Sequence, residues 1–174
     1  DKNIWIGTGA GLSLYDRKKD NFINFTNDPQ NPHSISSNLI QSCIIEDRKG
    51  NIWIGTWDGL NKISAADKKI LFTDPGSVKF VRYKFKQDNA YSLSDNRVIS
   101  AYEDNKGNLW FGTYGGGLNM LPADQHELTK PKFYNYTTEE GLPSNIIYSV
   151  EGDNNDNIWL STDDGLAVLN RQTG

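Results

Sequence analysis

The sequence predicts an all-β fold assembled from a repeated four-strand unit, and three observations carry that reading. One phrase, NIWIGTWDGL at residues 51–60, is written four times with small changes. Its copies begin at Asn3, Asn51, Asn108 and Asn157 and close on Gly11-Leu12, Gly59-Leu60, Gly117-Leu118 and Gly165-Leu166. The motif tryptophans Trp5, Trp53, Trp110 and Trp159 stand 48, 57 and 49 residues apart, the spacing of a repeat architecture. No stretch carries a 3.6-residue apolar period, so almost no helix is expected.

Each element follows from the pattern around the phrase. In the second repeat, strand A covers 39–46, strand B 51–56, strand C 60–64 and strand D 79–85. Strand A is headed by Ser37-Asn38, Asp95-Asn96 or Ser144-Asn145 and closes on Glu46-Asp47, Glu103-Asp104 or Gly152-Asp153. Asp47-Arg48-Lys49-Gly50 turns A into B, and Trp57-Asp58-Gly59 turns B into C. Strand D is marked by an aromatic pair: Phe22 and Phe25, Tyr83 and Phe85, Phe133 and Tyr136. Four antiparallel strands in about 50 residues, repeated, is the pattern of a β-propeller.

The repeats fall at about 1–36, 37–94, 95–143 and 144–174. The whole chain, 1–174, thus reads as a partial propeller of about four blades. Two are complete, one lacks its strand A and one lacks its strand D. A blade is covered by neighbours on both faces, which explains why Ile52 and Ile54 alternate with Trp53. Gly55, replaced by Ser161 in the last copy, leaves room for the adjacent blade, and Gly59 gives the B–C turn its freedom. The phrase is a packing code. Trp53, Trp110 and Trp159 are expected to be buried between blades, with Trp5 the exception. Two bare end faces would each expose about 500 Å² of apolar surface, costing about 10 kcal/mol per face. Missing blades of the parent chain, or another copy, should cover them.

Composition excludes several functions. A net charge of −4 and a pI near 5.1 leave no basic stripe for nucleic acid. No apolar run approaches a membrane span. The chain opens in mid-pattern at Asp1-Lys2-Asn3, so no signal peptide is legible. The single Cys43 allows neither an intrachain disulfide nor a cysteine-based metal site.

The pattern Asp-x-x-Gly-Asn-(Ile/Leu)-Trp-(Ile/Phe)-Gly-Thr-x-x-Gly-Leu, with its Asn-headed strand before and aromatic strand after, resembles the two-component regulator propeller repeat. Its departures are Ser161 for Gly, the extra glycine in Tyr114-Gly115-Gly116-Gly117, and Asp156 before Asn157. The resemblance implies the periplasmic sensor region of a hybrid two-component histidine kinase, with paired seven-bladed propellers followed by a β-sandwich. Beyond the membrane it implies a kinase, a receiver and a DNA-binding helical domain. It also implies recognition of glycan fragments that switch on polysaccharide-utilisation genes, and a homodimer of the full-length protein. The repeat carries no ligand residues, so no site transfers from it.

Strand order places B–C turns and D–A loops on one face of the disc. That face gathers Trp57, Asp58, Tyr114, Asp163 and Asp164 with the loops 26–37, 86–95 and 137–144. Trp57 and Tyr114 follow the motif Thr where other copies have Gly9 and Asp163. Either the rings stack on a sugar while carboxylates bond its hydroxyls, or they cover the next blade's loop. Arg97 stands where Leu39 and Ile146 are apolar, and pairs with an anionic sugar group or with Asp95. Trp57, Asp58, Arg97, Tyr114 and Asp163 are the candidate ligand-binding residues, for an oligosaccharide. Asn38, Asn96 and Asn145 read as turn-forming caps.

No cofactor or metal is expected. His33 and His126 fall on opposite faces, and residues 153–157 lack the glycine of a calcium loop and read as a hairpin turn. Asn24-Phe25-Thr26 and Asn135-Tyr136-Thr137 match glycosylation sequons but sit at equivalent strand positions. There is no Gly-x-Ser-x-Gly elbow and no Cys–His pairing. The segment therefore reads as a sensing module and not an enzyme. The alternatives are a protein-interaction scaffold and, behind it, a lyase or hydrolase propeller with acids converging near the channel.

Overall fold

The computed structural model describes residues 3–40 and 43–170. They form four antiparallel meanders, each with its strands in chain order. Blade 1 holds β1 (Trp5–Thr8), β2 (Gly11–Asp16) and β3 (Asn21–Phe25). Blade 2 holds β4 (Ile44–Glu46), β5 (Ile52–Thr56), β6 (Gly59–Ile63) and β7 (Phe80–Tyr83). Blade 3 holds β8 (Val98–Glu103), β9 (Leu109–Thr113), β10 (Leu118–Leu121) and β11 (Tyr134–Tyr136). Blade 4 holds β12 (Ile147–Gly152), β13 (Ile158–Thr162) and β14 (Gly165–Leu169). The sheets stand side by side as an open part of a propeller. Among the described residues, helix is limited to short 3₁₀ segments, Asp67–Ile70, Pro75–Ser77 and Thr138–Glu140.

The first strand of blade 2 is shorter than the expected 39–46. Ile40 N–H donates to Thr8 O of blade 1 at 2.9 Å, so this part of the segment bonds the previous blade. Gln41 and Ser42 lie outside the described residues.

The core is three interblade layers, built from the alternation of the repeated phrase. Ile52 and Ile54 pack back on Leu12, Leu14 and Phe25 of blade 1. Trp53 packs forward with Leu109 and Phe111 of blade 3. Trp110 in turn packs forward with Ile158 and Leu160 of blade 4. Gly55 is required by this stacking: a Cβ there would lie 2.5 Å from Val98 O of blade 3.

Trp159 departs from expectation. It is 43% exposed, whereas Trp53 and Trp110 are 0% and 2% exposed. The motif tryptophan faces the following blade, and no blade follows Trp159 within the described residues. Leu166 and Val168 of β14 are likewise exposed. Trp5, the expected exception, is instead half-buried against the layer between blades 1 and 2. On blade 1 it is Ile4 and Ile6 that lie exposed.

The A–B turns explain the rest of the phrase. Asp47 Oδ2 accepts from Trp53 Nε1 at 2.8 Å and Asn51 Nδ2 at 2.9 Å. Asp104 repeats this with Trp110 and Asn108, and Asp153 with Trp159 and Asn157. One carboxylate thus satisfies the indole donor that interblade packing would strand.

Candidate functional site

The turn-and-loop face is positioned by backbone bonds that recur from blade to blade. The residue after the motif Thr is tied to the segment that precedes the first strand of its own blade: Trp57 N–H donates to Leu39 O, Tyr114 N–H to Arg97 O, and Asp163 N–H to Ile146 O. The motif asparagines join the blades. Asn96 O accepts from Gly59 N and Asn145 O from Gly117 N, at 2.7 and 2.8 Å. Their side chains cap the D–A loops, with Asn38, Asn96 and Asn145 Oδ1 accepting from Asn27, Phe85 and Thr138 N. These asparagines have structural work.

On this frame the aromatic side chains meet. Trp57 and Tyr114, from adjacent blades, lie 6.0 Å apart between centroids at an interplanar angle of 28°. Tyr148 meets Tyr114 edge-on at 6.5 Å. All three are more than a third exposed, so together they form an open aromatic strip across blades 2, 3 and 4. Arg97 lies over the Tyr114 ring at 5.4 Å. Its guanidinium also grips Asp95 through Nη2 at 2.7 Å and Nε at 3.0 Å. The charge is thereby balanced on the spot, which favours the pairing with Asp95 over a free cation awaiting an acid.

Asp163 accepts from the Tyr148 hydroxyl at 3.1 Å. That hydrogen bond, helped by the neighbouring charge, pushes the Tyr148 phenol above its ordinary range. Asp58 pairs with Lys84 Nζ at 2.6 Å, which ties it toward the rim. Trp57, Arg97, Tyr114 and Asp163 are thus brought into one chain of contacts, with Asp58 beside it.

Sequence reasoning missed Tyr148. It sits where β12 changes register between Ile147 and Ser149, a bulge that recurs in β8 between Val98 and Ser100. A bulge re-aims a side chain that simple alternation would assign to a packed face. The buried Ile99 at the equivalent place in β8 gave no cue.

The remaining candidates are accounted for by packing. Among the described residues, no group of three or more His, Cys, Asp or Glu side chains is arranged to hold a metal ion. His126 is buried, with Nδ1 3.4 Å from Asp47 Oδ2, whereas His33 is exposed in a D–A loop. Burial pushes the Asp47 carboxyl up, but the imidazole of His126 beside it and the hydrogen bonds donated by Trp53 and Asn51 outweigh this and hold the group well below the carboxylate range. In the turn at 153–157, Asp153 accepts from Trp159, Asn157 and Asn155, as a hairpin does. Burial pushes the Cys43 thiol up to about 12, so it is inert.

The two component regulator propeller family matches residues 34–58, 92–115 and 141–164. Each match covers the same part of a blade, from the end of a D–A loop to the B–C turn. Histidine kinase P4 of Formosa agariphila is 27% identical over 174 residues, covering 99% of this chain and 12% of that protein. Two extracellular domains from B. thetaiotaomicron, described as hybrid two component systems, share the fold. BT3049 superposes with a TM-score of 0.74 at 24% identity, covering 98% of this chain and 21% of its own. BT4673 gives 0.75 at 23% identity, covering 98% and 22%. The chain therefore spans a small part of each. Three consecutive blades carry the repeat of the two component regulator propeller family, and the chain is a partial propeller similar to the extracellular domains of hybrid two component systems.

Proposed function

We propose that this segment is the ligand-sensing part of the periplasmic region of a hybrid two-component regulator. Its ligand is a glycan-derived oligosaccharide, bound without turnover, and the response is expression of polysaccharide-utilisation genes. The observation that carries the reading is the exposed strip Trp57–Tyr114–Tyr148. The three rings need not be exposed for blade packing. They offer apolar surface to the C–H faces of sugars, and Asp163, Asp95 and Asp58 beside them offer acceptors for hydroxyls. Because Arg97 is already balanced by Asp95, the strip fits a neutral sugar. The repeat family and the histidine kinase relative support a sensing context.

The test is a glycan array followed by calorimetry on the complete sensor. Loss of two aromatic contacts, at about 1 kcal/mol each, predicts roughly 30-fold weaker binding for Trp57→Ala with Tyr114→Ala. Thermal stability should hold nearly unchanged. Unaltered affinity would remove the site from this face, and product formation that depends on a carboxylate here would make the protein an enzyme.

A further inference from the structure

Four departures from the repeat fall in one place, on the turn-and-loop face of blade 3. Asp95 stands where other copies have Ser37 and Ser144, and Arg97 where they have Leu39 and Ile146. Tyr114 follows the motif Thr, and the turn it opens is one residue longer than in the other three copies. Hydrogen bonds identify the extra residue. Ala10, Asp58 and Asp164 N–H each donate to the motif Thr two residues before them, whereas in blade 3 Gly116 N–H does so from three residues on. Gly116 thus takes the place of Asp58 and Asp164, and Gly115 is the insertion.

Both glycines are where Asp95 and Arg97 leave no room for a side chain. Gly115 has a φ of +129°, and a Cβ there would come 2.9 Å from Arg97 Nη2. A Cβ on Gly116 would come 2.7 Å from Asp95 Cβ. Gly115 N–H donates to Asn145 O of blade 4 at 3.0 Å, which ties the turn down against the pair. The pair itself is closely fixed. Asp95 Oδ1 accepts from Arg97 N and Nε at 2.7 and 3.0 Å, and Oδ2 accepts from Nη2 at 2.7 Å. Such a two-point fork sets the plane of a guanidinium, which the single ammonium of a lysine cannot reproduce. That guanidinium lies over the Tyr114 ring.

Blade packing does not require these parts, since blades 2 and 4 are built without them. Tyr114 is 36% exposed, and an exposed side chain gives up rotamer freedom when it is immobilised by a ligand. A ring already held in place gives up less.

We propose that Arg97 is a positioning residue for the aromatic strip: clamped by Asp95 and admitted by Gly115 and Gly116, it fixes the plane of the Tyr114 ring on which the ligand packs, and does not itself meet a charge on the ligand. The nature of that ligand rests on the sugar-binding reading above; the fixing of the ring rests on the geometry alone.

The test has two arms, both on the full-length protein. In the first, 3-fluorotyrosine is placed at position 114 and its fluorine resonance is recorded without ligand. The Trp57 ring stacked on Tyr114 should shift the wild-type resonance. Arg97→Met and Arg97→Lys should both move it toward the value of free fluorotyrosine, and an unmoved resonance in Arg97→Met would overturn the proposal. In the second arm, the neutral oligosaccharide bound most tightly on the glycan array is titrated into each variant. Arg97→Met should weaken binding about fivefold, equally at low and high salt, and should add nothing in the Tyr114→Ala background. Unchanged affinity would overturn the proposal. A loss that grows at low salt, is confined to uronate-bearing glycans or adds in full to Tyr114→Ala would overturn it in favour of a direct contact. A wild type that binds no sugar on the array would instead refute the sugar-binding reading, with the fluorine resonance still deciding the role of Arg97.

Discussion

Replacing Trp53 by alanine should cost about 4–6 kcal/mol of stability. The side chain is 0% exposed and is enclosed by Tyr83 at 5.7 Å, Phe111 at 5.8 Å and the edge of His126 at 5.8 Å. Lys62 Nζ sits 5.7 Å above the ring. Truncating such a residue leaves a cavity worth about 3–5 kcal/mol, because blade 3 is held by its own sheet and cannot collapse into it. Removing the indole donor from Asp47 adds about 1 kcal/mol, a modest amount since Asn51 and Lys49 still donate to that carboxylate. Trp53→Phe separates the two terms: it keeps most of the ring volume and loses the donor, and should cost about 1–3 kcal/mol. Equilibrium urea unfolding of the complete propeller, with the m-value compared between variants, measures both. A loss below about 1 kcal/mol for Trp53→Ala at constant m would refute the account, because no indole wedged between two rigid sheets can be removed so cheaply.

Gly55→Ala should destabilise by about 1–3 kcal/mol, since its Cβ would lie 2.5 Å from Val98 O and 2.8 Å from Cys43 Cβ. Gly9→Ala, whose nearest neighbour would be 3.9 Å away, should stay within about 0.5 kcal/mol in the same unfolding assay. Acid should also weaken the blades. Asp153 is held down to about 2 by donation from Trp159 and Asn157, and Asp47 is held below the carboxylate range as well. A depressed carboxyl contributes stability above its unfolded value of about 3.9, and that contribution is lost as pH falls through the folded value. The urea midpoint should therefore drop between about pH 4 and pH 2, and Asp47→Asn should flatten the drop. A midpoint independent of pH across that window would show that these carboxylates do not hold the turns.

The sequence by itself determined the repeat, the strand order, the turn residues and the alternation within the phrase. It could do so because hairpin turns and two-residue alternation are local, and four copies of one pattern make a local rule unmistakable. It also placed Trp57, Arg97, Tyr114 and Asp163 on one face, since strand order alone decides where the turns fall. Tertiary structure decided what those turns meet. The motif tryptophan faces the following blade, which leaves Trp159 exposed and half-buries Trp5; alternation separates two faces of a sheet but does not say which neighbour lies on which. The bulge that turns Tyr148 toward Tyr114 and Asp163 is a register shift of one residue, invisible in a pattern that tolerates either register. Interblade geometry, which sets every such contact, is written in no single repeat.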